Sequence, residues 1–249
     1  MNDIRIMLSE RLQAIADLIE YGETMADIGT DHGFLPVYLI KTGKCPYAIA
    51  TDISQNSLKK AENLILSEGA LNYCSARVGN GLDPIENAEV DDVVIAGMGG
   101  MLMTEILSAD LNKSRSFKKF ILQPRSKLYY LRKWIRDNGF TIKKENIAKE
   151  GDRFCEILLV ESCKEPNYSD GEGFLLSDYF PETLINNPNE LTLEYLNHHL
   201  FKNETILNNL KENMSSTNDN DSNALKMKEF EEMVNHLKFL IEKYENKNI

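Results

Sequence analysis

The sequence predicts an α/β protein: a largely parallel, Rossmann-like sheet covered by helices on both faces, followed by a C-terminal antiparallel helical coiled-coil hairpin. Three observations carry this. Between residues 25 and 160, short β-branched runs alternate with helical patterns, the arrangement of strands joined by crossover helices. The last two of those runs follow each other with no long helix between them, which places a hairpin at the sheet edge. Beyond residue 190 two apolar seams with 3,4 spacing appear, the signature of paired helices.

Taken in order, a helix over about 3–21 opens the chain, with Ile4, Met7, Leu8, Leu12, Ile15 and Leu18 on one stripe. MADI (25–28), YAIATD (47–52), NYCSARV (72–78), DDVVIA (91–96), FKKFIL (117–122), FTIKKENI (140–147) and RFCEILLV (153–160) read as strands. Segments around 34–42, 54–68, 100–110 and 126–138 read as helices. Lys149-Glu150-Gly151-Asp152 supplies the turn of the edge hairpin. Pro166 to Pro188 reads as a loop-rich linker. One seam then runs through Leu193, Leu196, Leu200, Asn203, Leu207, Leu210 and Met214, and the other through Met227, Phe230, Val234, Leu237, Ile241 and Tyr244. The polar stretch 215–222 separates them, and Asn203 is expected to fix register. The implied organisation is a main domain over 1–163, a linker over 164–189 and the hairpin over 190–249.

Charged residues make up 27% and apolar ones 42% of the 249 residues, which is folded rather than disordered composition. No apolar run approaches the roughly 18 residues of a membrane-spanning helix, and MNDIRIMLSERL is not a signal peptide. The expected location is the cytoplasm, with no membrane partner and a monomer in solution. Cys45, Cys74, Cys155 and Cys163 are scattered without a CxxC pair, so reduced buried thiols are expected rather than zinc or a disulfide framework. Glu194 and His198, four residues apart with His199 adjacent, could seat a metal on one helix face, but no ligand from elsewhere is evident, so they read as coiled-coil surface and no metal is expected. Trp134 reads as core packing.

Net charge is −11, yet it is unevenly spread. Residues 1–110 carry 7 Lys and Arg against 17 Asp and Glu, whereas residues 111–153 carry 13 against 4. Local potential steers a polyanion more than net charge does. The block 111–153 is therefore either a nucleic-acid-binding surface or a solvated face of helix lysines.

The chemistry begins at ADIGTDHGFLP, residues 26–36: a buried strand, a turn with Gly29 and Gly33, then a helix. Glycines there let the backbone approach a ligand and take positive φ. The spacing D-x-G-x-x-x-G differs from the dinucleotide GxGxxG and resembles motif I of S-adenosylmethionine-dependent methyltransferases. Asp31 in the turn would repel a pyrophosphate but attract the cationic sulfonium and amino groups of the methyl donor. Asp52 closes the second strand, where an acid can accept both ribose hydroxyls; Ser54 is the better cap for the helix that follows. The turn Gly79-Asn80-Gly81-Leu82 either offers an amide to an adenine amine or is a plain tight turn. Ala96-Gly97-Met98-Gly99-Gly100 puts three glycines past a buried strand, a pattern of backbone contact with a ligand. All four segments lie at the carboxyl ends of strands, where open α/β sheets bind ligands.

ADIGTDHGFLP, VGNGL, VIAGMGG, LQP, LRKWI, GDRFCEI and the N-terminal LSERLQAIADLI together resemble the TrmK-type tRNA (adenine-22-N1)-methyltransferases, over nearly the whole chain. The chain departs from the pattern at Asn80, where an aspartate is common, and at Cys155, where an aromatic is expected on the floor of the target pocket. The resemblance implies a class I S-adenosylmethionine-dependent methyltransferase fold with S-adenosyl-L-methionine as cofactor and tRNA as partner. Asp27, Gly29, Thr30, His32, Gly33, Asp52, Ile53, Asn80, Gly81, Ala96, Gly97 and Met98 would hold the cofactor. Asp31 is the candidate catalytic group, and His32 contacts donor or target or makes a structural hydrogen bond. Gly99, Gly100, Gln123 and Pro124 would border the target base, with Arg125, Lys127, Arg132 and Arg153 on tRNA phosphates. The hairpin would contact the tRNA body. The alternatives are a methyltransferase acting on another RNA or a small molecule, and a non-catalytic nucleotide-binding coiled-coil module.

Overall fold

The structure, a computed structural model, describes residues 6–162, 173–213 and 220–247. Cys163, residues 164–172 of the expected linker and most of the polar turn at 215–222 lie outside these. The chain forms two compact units, Met1–Glu172 and Gly173–Ile249.

The first unit is built on a seven-stranded sheet in the order β3-β2-β1-β4-β5-β7-β6. Its strands are β1 (Met25–Ile28), β2 (Ala48–Asp52), β3 (Cys74–Val78), β4 (Asp92–Gly99), β5 (Lys119–Ser126), β6 (Phe140–Glu150) and β7 (Arg153–Ser162). The first five are parallel, and β7 is antiparallel to both β5 and β6. This is the class I methyltransferase sheet that the edge hairpin implied. The chain crosses from β3 to β4 past β1, so the topological switch lies between β1 and β4, whose carboxyl ends open a cleft.

Helices α1 (Glu10–Leu18), α2 (Phe34–Lys41), α3 (Gln55–Ser67), α4 (Gly100–Ala109), α5 (Leu111–Ser116) and α6 (Leu128–Asp137) cover the sheet. Two apolar layers result. One gathers Ile15, Ile19, Leu35, Leu39 and Ile65 against Met25, Val94 and Ile121. The other gathers Met103, Leu107, Leu131 and Ile135 against Ile28, Val93, Ile95 and Leu122. The N-terminal helix is shorter than its apolar stripe: Ser9 caps it by accepting from the Leu12 amide, and Ile19 is already extended. Helix α5, LNKSRS, has too little apolar pattern to be visible in sequence; Asp110 caps it, accepting from the Lys113 amide. Ser54 caps α3 as expected, accepting from Ser57. Trp134 packs on Phe140 with its indole N–H on the Ser108 hydroxyl at 2.7 Å.

In the second unit, α9 (Thr192–Asn213) and α10 (Asn220–Lys247) pair antiparallel; the ion pairs Lys211–Glu231 and Lys238–Glu204 run in opposite order along the two helices. Leu196, Leu207, Val234, Leu237 and Leu240 are buried along their seam. Two short helices, α7 (Leu176–Tyr179) and α8 (Thr183–Asn186), precede them. The described end of the expected linker therefore folds with the hairpin rather than as free chain. Asn203 is buried, but its amide donates to the His199 carbonyl of its own helix at 2.7 Å, so its hydrogen bond does not set register across the pair. His199 packs on Tyr195 and Phe180.

Candidate active site

The acid-and-glycine turn after β1 is held by backbone hydrogen bonds. The amides of Gly29 and Thr30 both donate to the Thr51 carbonyl, at 2.9 and 2.8 Å. Gly29 has φ +74, and Gly33, at φ +75, opens α2; a Cβ on Gly33 would stand 2.9 Å from that of Ala61 in α3. Gly33 is thus fixed by close helix packing as well as by the turn.

Asp27 lies at the base of the cleft, 7% exposed. The Thr30 hydroxyl donates to Oδ2 at 2.6 Å, and among the described residues Oδ1 accepts nothing. Burial pushes its carboxyl up to about 6, against the pull of the Thr30 hydroxyl and the Arg11 charge; the nearby Asp52 adds to the rise. Asp52 ends β2. Its Oδ1 accepts the Ser54 amide at 2.8 Å and its Oδ2 the Asp31 amide at 3.2 Å, which leaves lone pairs on both oxygens. Ile53 beside it is 71% exposed.

Asp31 is a non-glycine residue at φ +51. Its carboxylate meets Lys60 of α3 at 3.2 Å and His32 Nδ1 at 2.7 Å. Partial desolvation works to raise its pKa, but Lys60 and His32 outweigh it and hold the carboxyl below the ordinary aspartate value. His32 also stacks on Phe34, ring planes 6° apart.

Asn80 is exposed in the turn after β3, next to Gly81 at φ +52. Beside them is a cavity of about 200 Å³ that reaches Leu102 and Ile106 on α4 and extends to Asp110 and Lys113. At the end of β4 the pairing with β5 is irregular between Ala96 and Met98. Gly97 there has φ +79, and its amide donates to Gln123 Oε1 at 3.2 Å. The Met98 methyl packs where a Cβ on Gly29 would stand and would have to move aside for one.

Several expectations are corrected. Gly100 is buried, and a Cβ there would stand 2.5 Å from the Lys127 carbonyl; chain packing demands this glycine, and it offers no surface to a base. Gln123 is 1% exposed and Pro124 is buried. They line no open surface, and Gln123 instead supports Gly97. Arg132 is not a phosphate contact: its side chain is 2% exposed and pairs with Glu145 at 2.6 Å. Cys155 lies in the core layer with Ile15 and Ile157, so it forms no pocket floor.

The basic block does not form one face. Lys118, just before β5, and Lys119, its first residue, lie at the opposite end of the sheet from the cleft and pair with Asp91 and with Glu20 and Glu23 respectively. Lys133 and Arg136 share Asp137, and Lys143 pairs with Glu161. Arg125, Lys127 and Arg153 are exposed at the carboxyl edge, where the Arg153 guanidinium donates to the Arg125 carbonyl.

Sequence reasoning missed Arg11. From α1 it donates through Nε to Glu150 at 3.1 Å and through Nη1 to Gln123 Oε1 at 3.1 Å. The only signal in the sequence is a cation on the polar border of an amphipathic helix, which is unremarkable by itself.

The sheet order and the strand-end acids beside a glycine turn define a class I methyltransferase, and residues 8–158 match the family model of the methyltransferase domain. Over 242 residues the chain is 31% identical to the tRNA (adenine(22)-N(1))-methyltransferase of Bacillus subtilis (strain 168), covering 97% of this chain and 99% of that protein. It belongs to that family. The crystal structure of Streptococcus pneumoniae Sp1610 in complex with S-adenosyl-L-methionine superposes with TM-score 0.76 at 26% identity, over 94% of this chain and all of that one. The structure of M. capricolum TrmK in complex with S-adenosyl-homocysteine gives a TM-score of 0.74 at 28% identity, over 95% of this chain and 98% of that one. Among the described residues, no three His, Cys, Asp or Glu side chains are grouped to hold a metal, and no helix is long and apolar enough to cross a membrane.

Proposed function

We propose that the protein transfers the methyl group of S-adenosyl-L-methionine to N1 of adenine 22 in tRNA, acting as a cytoplasmic monomer. The observation that carries this reading is the convergence of Asp27, the Gly29–Asp31 turn, Asp52 and Asn80 at the carboxyl ends of β1, β2 and β3, facing the Gly97 bulge of β4.

The cleft suits the cofactor chemically. Asp27 has an oxygen with no donor among the described residues, Asp52 keeps acceptor capacity on both oxygens for a ribose diol, and Ile53 offers an exposed apolar face beside it. The Asn80 amide borders a cavity able to take a flat ring. When bound, the cofactor supplies an electrophilic sulfonium methyl. Adenine N1 carries its own lone pair, so no strong base is required, and the protein's work is positioning and water exclusion.

Methylation leaves the adenine ring cationic. Asp31 is held ionised and exposed at the mouth of the cleft, and we assign it the stabilisation of that charge. N1 lies on the Watson–Crick edge, so the adenine must leave any pair or stack before reaction. Arg125, Lys127 and Arg153 hold tRNA phosphates beside the cleft. The test is equilibrium binding of S-adenosylmethionine against NAD, followed by transfer of labelled methyl to unmodified tRNA. Binding of the methyl donor alone with label in tRNA is expected; preferential NAD binding or no label in tRNA would refute the reading.

A further inference from the structure

The turn from β5 into α6 lies directly against the glycine loop at the end of β4. Gly99 pairs with Ser126 across the two strands, and a Cβ on Gly100 would stand 2.5 Å from the Lys127 carbonyl. Lys127 holds the N-cap position of α6 in the left-handed region, at φ +55, and its side chain makes no capping hydrogen bond. Short polar side chains are the usual choice at such a cap, and backbone strain of this kind gathers at functional sites. The Lys127 side chain instead lies over the Tyr129 ring, with Nζ 5.7 Å from the centroid and donating to the hydroxyl at 3.2 Å. Tyr129 in turn meets Tyr130, ring centroids 5.5 Å apart, and Tyr130 is 40% exposed. Helix α4 runs beside α6 in the same direction, joined to it by the Trp134–Ser108 hydrogen bond, so the exposed Met101 and Leu102 at its start share this end of the sheet.

Cations interleaved with exposed rings are how proteins hold unpaired RNA: the cation takes a phosphate and the ring takes the face of a base. The reaction itself creates a need for such a ring. An adenine that leaves its stack to present N1 strips a stacking face from the nucleotide on each side of it. We propose that Tyr130 stacks on one nucleotide flanking the target adenine, with Lys127 on the phosphate that joins the two and Tyr129 holding Lys127 in place. This rests on the tRNA reading above and deepens it: the substrate is taken at this point as an opened single strand, not as a duplex. The strain at Lys127 has a use in this arrangement, because it starts α6 abruptly against the Gly99–Gly100 loop and so puts the cation and both rings beside the methyl-transfer cleft.

The test is a double-mutant cycle between protein and RNA. Tyr130→Ala and Tyr130→Phe are paired with intact unmodified tRNA and with two tRNAs that lack the base at position 21 or at position 23, and KM for tRNA is read by transfer of labelled methyl. Tyr130→Ala should raise KM for the intact tRNA by roughly fivefold to a hundredfold, the range of one base–aromatic stack, while its affinity for S-adenosylmethionine, read by calorimetry, is unchanged. Tyr130→Phe, which keeps the ring, should stay within about twofold of wild type. With one of the two abasic tRNAs wild type should show the same loss, and Tyr130→Ala should lose nothing further. Additive losses with both abasic tRNAs, an unchanged KM in Tyr130→Ala, or a Tyr130→Phe protein as impaired as Tyr130→Ala overturns the assignment. Wild type on the abasic tRNAs tests it without any variant, so poor folding of Tyr130→Ala does not shield it: no loss at either position overturns it. Absence of methyl transfer from wild type to the intact tRNA overturns the tRNA reading itself, and the assignment with it.

Discussion

Arg132 of α6 and Glu145 of β6 form a 2.6 Å ion pair in which the side chains are 2% and 0% exposed. Removing one partner from such a pair leaves the other charge buried and uncompensated, at a cost of about 3–5 kcal/mol. Arg132→Met should therefore lower the unfolding free energy by about that much in a denaturant titration, while tRNA affinity of the folded fraction stays within about twofold. A large affinity loss without destabilisation would return Arg132 to the substrate surface.

The pair also marks where sequence reading stops. The alternating strands, the edge hairpin, the two heptad seams and the pairing of a strand-end acid with a glycine turn are local patterns, and each was legible in the chain. Which way a charged side chain of α6 points depends on its partner on β6, thirteen residues away, and no local pattern encodes that. The same holds for Arg11, whose partners Gln123 and Glu150 lie more than a hundred residues on. Gly100 resembled Gly97 in sequence, but one sits against the Lys127 carbonyl and the other meets only the Arg125 side chain at 3.9 Å.

That contrast gives a second prediction. Gly100→Ala forces a Cβ against backbone at 2.5 Å and should cost on the order of 1–3 kcal/mol of stability. Gly97→Ala meets nothing closer than Arg125 Nε at 3.9 Å but must adopt φ +79, so about 1 kcal/mol or somewhat more is expected. Thermal unfolding of the two variants should show both losses. An unperturbed Gly100→Ala protein would mean that the connection after β5 shifts freely.

Asp92, fully buried at the start of β4, receives no donor on either oxygen among the described residues and faces the Glu23 carboxyl. Burial, reinforced by the Glu23 charge and only partly offset by Lys119, pushes its carboxyl up to about 8. The folded protein then keeps a proton that the unfolded chain releases near the ordinary aspartate value, about 4. Stability from this group is full below that value and is lost as pH rises, with the loss complete once pH passes about 8. Asp92→Asn should match wild type at low pH and exceed it above pH 8 in a pH series of melting temperatures. Parallel curves for the two proteins would contradict this.

Asp27 titrates in a more accessible range. With its carboxyl raised to about 6, it is charged above that pH and neutral below. As an acid holding a cationic donor, it should bind S-adenosylmethionine less tightly as pH drops through 6. In Asp27→Asn the affinity should be low at every pH and that slope absent. A wild-type affinity independent of pH from 5 to 8 would remove Asp27 from the site.

Asp31 and Asp52 separate by the parameter they affect. Asp52→Asn should weaken donor affinity by roughly tenfold or more through loss of acceptors for the ribose. Asp31→Asn should lower kcat by about tenfold while donor affinity changes by less than about threefold. Reversal of the two patterns would exchange their roles.

The measurement that bears most directly on the central claim compares two unmodified tRNAs that differ only at position 22, adenine in one and guanine in the other, with labelled S-adenosylmethionine as donor. The account predicts label in the adenine tRNA alone, mapping to N1 of that base. Equal labelling of both, or label at another atom or position, would contradict it.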